Sequence, residues 1–177
     1  MTRLFLRRIL VHSRPGSPTQ GLLIAGSTVF RCALGRSGIG RAKREGDGLT
    51  PVGVYPALGA FWRADRLPRP RAGLPLSPIK PDQGWCEVPA DRNYNRAVKL
   101  PYPASTESMR RDDHLYDIVL DLAWNRRPIR KGKGSAIFLH LARPGYSPTQ
   151  GCIALTRGDL MKLLPRIGPR TLFEVRR

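Results

Sequence analysis

The chain has 177 residues, 41% hydrophobic and 25% charged, a balance that excludes a disordered chain and suffices for one packed core. Its 31 Lys and Arg outnumber 13 Asp and Glu, and the formal charge of +18 fits an anionic partner or a merely solvated basic surface. No apolar run reaches the ~20 residues of a membrane span, and 18 Gly with 17 Pro point to a turn-rich, mostly β protein. The opening residues, broken by Arg7 and Arg8, do not read as a signal peptide.

Residues 3–12 alternate loosely and predict a first strand. Residues 13–21, "SRPGSPTQG", read as a turn. Residues 22–35 predict a hairpin turning near Gly26-Ser27, with Phe30, Cys32 and Leu34 on one face and Cys32 in the core. Residues 36–51 read as a loop, 52–62 as a strand bent at Pro56, and 63–84 as a long proline-rich surface excursion. A short strand is expected at 85–89, then a loop over 90–113 with a helical turn near 105–110. Strong β signals follow at 115–124, 135–142 and 151–155. Thr156, with Asp159 three residues on, predicts the cap of a helix that puts Leu160, Leu163 and Leu164 on one face. Residues 171–177 close as a strand. No linker divides the chain, so residues 1–177 read as a single domain.

Cysteines stand at 32, 86 and 152, and the odd number leaves at least one unpaired. Cys32 and Cys86 could pair; each also reads as core. No CxxC or Cys/His cluster has zinc spacing, so no metal site is expected. The arginines are scattered, and neither a zinc finger nor an RNP-like motif is present, so nucleic acid is not an expected partner.

The stretch with the clearest chemistry is "RPGYSPTQGCIAL", residues 143–155. A near copy, "RPGSPTQGLLIAG", fills 14–26, but only the second has a cysteine after the glycine and follows "IFLH". If the two flanking strands are neighbours, the loop returns His140 to the side of Cys152. A free thiol, near pKa ~8.5, is a weak nucleophile until a base or a positive charge activates it. The amides of Gly151 and Cys152 could face a developing oxyanion. A core cysteine and a structural histidine would account for the same residues.

"FLHLARPGYSPTQGCIAL" resembles the His-x(n)-[Ser/Thr]-x-Gly-Cys signature of the L,D-transpeptidase catalytic domain, the YkuD-type family. "RSGIGRAKREGDGLTPVGVYP" looks like that family's approach to its Thr-Pro-x-Gly strand, and "YNRAV", "LYDIVLDLAWN" and "GKGSAIFLH" look like a bacterial subgroup. The resemblance covers about residues 25–165. It implies a mostly β fold, a sandwich-like mixed sheet with a short helix after the Cys strand. It also implies Cys152 as nucleophile, His140 as its base and Gly151 as an oxyanion donor. Thr149 would hold the loop, and the Leu141 carbonyl would orient the histidine. Two positions depart from the family: Gln150 replaces a common His, and Ala154 replaces a common Asn or Arg. Arg143 or Arg157 would then be the substrate-binding substitute.

The implied reaction is acyl transfer on peptidoglycan stem peptides through a Cys thioester, giving 3→3 cross-links. The thiol and amides supply the chemistry, so no cofactor is expected. An L,D-carboxypeptidase, another cysteine amidase, or a non-catalytic basic binding module are the alternatives. Such chemistry places the protein in the periplasm or cell envelope, whereas the N-terminus suits the cytoplasm. The copy at 14–26 lacks both Cys and His, so no functional duplication is expected. Among weaker candidates, His114 is a solvated loop residue or a substrate contact, and His12 is structural. Arg44, Glu45 and Asp47 either order their loop or sit as surface charge. Tyr94, Asn95, Trp124 and Asn125 line a groove or serve as buried aromatics and turn residues.

Overall fold

The computed structural model describes residues 4–177. Strands β1 (Leu6–Arg14), β2 (Ser17–Ala25) and β3 (Thr28–Ala33) form consecutive hairpins. Two-residue strands β4 (Ile39–Gly40) and β5 (Thr50–Pro51) pair across the loop before β6 (Gly53–Trp62). Strands β7 (Leu76–Pro78), β8 (Gln83–Cys86), β9 (Arg96–Lys99) and β10 (Thr106–Ser108) are short. Then come β11 (Ile118–Leu122), β12 (Phe138–Leu141), β13 (Ile153–Leu155), helix α1 (Arg157–Leu163) and β14 (Ile167–Arg176).

The main sheet runs β11-β12-β13-β3-β2-β1-β14-β6-β7, and β11 also pairs with β6. That second pairing closes the sheet on itself. Closure rests on β6 changing partners after Pro56: residues 53–56 pair with β14, whereas residues 57–62 pair with β11. The closed sheet leaves the three-residue β7 as an edge and encloses a core of Ile9, Val11, Leu23, Leu120, Leu139, Ile153 and Phe173. Leu160, Leu163 and Leu164 pack their shared face into this core, and Thr156 Oγ1 caps α1 by accepting from the Asp159 N–H.

The period-2 alternation of β12 makes it a wall between two clusters. Leu139 and Leu141 face the enclosed core, while Phe138 joins Trp85, Met109, Tyr116 and Cys152 on the other side. A second sheet, β10-β8-β9, lies over that side and sets Trp85 edge-on to Phe138 at 5.0 Å between ring centroids.

Several sequence expectations change, and the loops expected at 36–51 and 90–113 contain β4, β5 and β9. Residues 17–21 are strand rather than turn, because Pro15-Gly16 alone makes the reversal and β3 pairs Gln20 with Ala33 and Gly21 with Cys32. The expected helical turn near 105–110 is β10, held by β8 through Thr106–Cys86 and Ser108–Gly84. The excursion at 63–84 contains β7, whose Leu76 pairs with Ala60. The two near-copies fold differently: 14–26 spans a tight hairpin, and 143–155 carries the connection between parallel strands, which a two-residue turn cannot make. Cys32 and Cys86 are free and fully buried.

Candidate active site

β12 and β13 are parallel neighbours in the register Leu139–Ile153 and His140–Ala154. Cys152 therefore sits just before the residue opposite Leu139, on the same side as His140. Both open into a cleft of about 430 Å³. Its walls carry both signs of charge: Lys43, Arg111 and Arg143, with Glu45, Glu87 and Glu107.

Cys152 and His140 are buried, 7% and 6% exposed. The thiol donates to the Ala136 carbonyl at 3.1 Å, and its sulfur accepts from the Phe138 N–H at 3.3 Å. Burial, with the Glu107 carboxylate, pushes the thiol up to about 12. His140 Nδ1 lies 2.9 Å from the Leu141 carbonyl. A carbonyl only accepts, so Nδ1 bears the proton and Nε2 is left as an acceptor. Burial pushes the imidazole down to about 4, and Tyr116 stands edge-on to the ring at 5.3 Å. At neutral pH the pair is thus an uncharged thiol and an uncharged imidazole.

The loop between them is anchored at Thr149. Its N–H donates to the Leu34 carbonyl, its carbonyl accepts from the Arg36 N–H, and its hydroxyl donates to the Cys152 carbonyl at 2.6 Å. The same hydroxyl accepts from the Gly151 N–H at 3.1 Å. This corrects the expectation of two open amides, because the Gly151 N–H is already engaged. The Cys152 N–H makes no hydrogen bond among the described residues.

Of the two candidate arginines, Arg143 lines the cleft and stands 3.7 Å from Asp113. Arg157 is exposed on the first turn of α1 and does not line it. Gln150 is exposed at the rim, and the Leu141 side chain lies in the enclosed core. His114 bonds the Ala142 carbonyl outside the cleft lining. Asp47 accepts from Lys43, from the Arg44 N–H and from the Leu49 N–H, so it orders its loop; Tyr94 donates to Glu45. Asn95 and Tyr94 are buried rather than groove-lining. Sequence reasoning missed Lys43, Glu107, Arg111 and Tyr116. The Tyr116 hydroxyl donates to Glu107 at 2.6 Å, while Arg111 pairs with Asp113 and stacks over the Tyr116 ring. No cluster of three or more His, Cys, Asp and Glu among the described residues is placed to hold a metal ion.

The buried imidazole has a consequence for stability. A folded-state value depressed to about 4 from the ordinary ~6.5 contributes stability above pH 6.5 that is lost as pH falls toward 4. At ~1.4 kcal/mol per pH unit, that is on the order of 3 kcal/mol. Urea unfolding at pH 7 and pH 4.5 will show this loss in the parent and a smaller one in His140→Asn. Equal losses in the two proteins would mean that His140 titrates normally.

No helix among the described residues is long and apolar enough to cross a membrane. No curated protein and no solved structure matches the chain. The model of the L,D-transpeptidase catalytic domain, YkuD, matches residues 13–175, nearly the whole chain and more than the motifs alone span. The closed β-sheet with one late helix agrees with that match, and the chain belongs to the L,D-transpeptidase catalytic domain family, a family of enzymes that modify peptidoglycan.

Proposed function

We propose that the protein is an L,D-transpeptidase that forms 3→3 cross-links between peptidoglycan stem peptides through a thioester on Cys152. The observation that carries this reading is the sharing of one cleft by Cys152 and an imidazole whose Nδ1 is fixed on the Leu141 carbonyl.

The thiol first leaves the Ala136 carbonyl and turns to His140 Nε2, which takes its proton. The sulfur attacks the carbonyl of the third stem residue, a diamino acid. The Cys152 N–H donates to the resulting oxyanion. His140 then protonates the departing D-alanine amine and leaves the thioester. The side-chain amine of a second stem gives up its proton to His140 and attacks the thioester, forming the cross-link and releasing the thiol. Water in place of that amine would give a trimmed tripeptide, the carboxypeptidase reaction. A cleft with both signs of charge suits stems that carry carboxylates and an ammonium group. The work of such an enzyme lies in the periplasm or cell envelope, where +18 of net charge concentrates an anionic wall.

Mass spectrometry of products from a disaccharide-tetrapeptide tests this reading. A 3→3 dimer with free D-alanine is expected. Tripeptide alone would make the protein a carboxypeptidase with the same site, and unchanged substrate would remove the stem-peptide assignment.

A further inference from the structure

Lys43 is a nearly enclosed lysine beside the candidate nucleophile. Its side chain is 2% exposed, and its ammonium bonds the Asp47 carboxylate at 2.5 Å. Two glycines of positive φ make room for it. A Cβ on Gly134 (φ +94°) would come within 2.8 Å of Lys43 Cε. A Cβ on Gly151 (φ +129°) would stand 3.3 Å from its Nζ. The lysine stem therefore lies across Gly134, and the charge ends against the backbone immediately before Cys152.

Other cationic sources are weaker. His140 carries no charge at neutral pH, so it offers no imidazolium to the sulfur at rest. Arg111 is tied to Asp113 and stands 3.6 Å from Glu107. Lys43 has three N–H donors, of which one is used by Asp47. The Asp47 carboxylate is itself shared among Lys43 and two backbone N–H groups.

We propose that Lys43 is a positioning residue that supplies fixed positive charge behind the Gly151-Cys152 turn and stabilises the Cys152 thiolate. The inference rests on Cys152 being the nucleophile. The thiol proton goes to His140 Nε2, and Lys43 takes no part in the transfer. Around the sulfur, Glu107 of β10 and Lys43 oppose one another, with Arg111 adding to the positive side. Tyr116, from the segment before β11, packs in the same cluster as Cys152, Tyr55 of β6 lies in the enclosed core within range of its charge, and Glu45, Glu87 and Arg143 line the wider cleft.

The test uses iodoacetamide, which needs no substrate. Its rate at Cys152, followed by peptide mass spectrometry between pH 7 and 9, reports the thiolate fraction. Lys43→Met keeps the apolar stem and removes the charge. About tenfold slower alkylation than in the parent is expected at each pH, equivalent to a one-unit rise in the thiol. In denaturant the two proteins will react equally. Should Lys43→Met not fold, Lys43→Met with Asp47→Asn removes both charges together and is expected to be several-fold slower than the parent. Parent-like or faster alkylation in a folded variant overturns the proposal. That result would leave the stem-peptide reading standing, and a failed product assay would leave the alkylation result standing.

Discussion

Cys152→Ala will abolish turnover of stem peptides and leave the protein folded. Removing the nucleophile of a covalent enzyme costs on the order of 10⁶-fold in kcat. No other thiol can stand in, because Cys32 and Cys86 are fully buried and neither lines the cleft. The structural loss is small by comparison. The sulfur bonds two backbone groups, the Ala136 carbonyl, which lines the cleft, and the Phe138 N–H, which does not. A loss of about 2 kcal/mol follows, because the buried Phe138 N–H is left without a partner. Product formation and urea unfolding on the same sample check both halves. Residual turnover within a hundredfold of the parent would place the nucleophile elsewhere.

Asn95→Ala will have the largest effect on stability. Asn95 is 1% exposed, and its amide has all four of its hydrogen bonds satisfied. Oδ1 accepts from Trp85 Nε1 and from the Ala136 N–H, each at 3.1 Å. Nδ2 donates to the carbonyls of Trp124 and Asn125 at 3.1 and 2.9 Å. Truncation strands two buried donors and two acceptors. At ~1–3 kcal/mol for each group left unsatisfied, less what water recovers, the loss is about 3–5 kcal/mol. Asn95 also has φ 58°, which Asn adopts more readily than Ala. The damage reaches the site, because the Ala136 carbonyl takes the thiol proton bond and Ala136 itself sits at φ 50°. Urea denaturation is the measurement; a loss below 1 kcal/mol would mean that the network re-forms around water.

The strands with clear alternation or a continuous apolar run were legible from sequence, including β6, β11, β12 and β13. Their signal is local, and burial on one or both faces writes it into the side chains. β10 was not legible, because its three residues are strand only through pairing with β8. The "SPTQG" pair shows the same limit: five identical residues form strand beside β3 and loop between β12 and β13. At the site, His140 and Cys152 were visible as a spacing. Lys43 was not, because it lies in a glycine-rich charged stretch that reads as solvated loop. Its burial depends on Gly134 and Gly151, more than ninety positions away. The use of the Gly151 N–H by the Thr149 hydroxyl was equally out of reach, since it depends on a side-chain rotamer.

The place of β14 in the sheet has a consequence for synthesis. It is translated after all the other strands of this sheet, yet it lies between β1 and β6, in parallel with β1. Until residues 167–176 leave the ribosome, β1 lacks its outer neighbour and β6 lacks a partner for residues 53–56. Both carry unpaired backbone at that stage, and the sheet cannot close. His140 and Cys152 are already made by then, on strands of an unfinished ring. The enclosed core is therefore completed only after synthesis of residues 167–176, and a nascent chain stalled before residue 167 will hold His140 and Cys152 on strands whose other face, that of Leu139 and Leu141, is not yet covered.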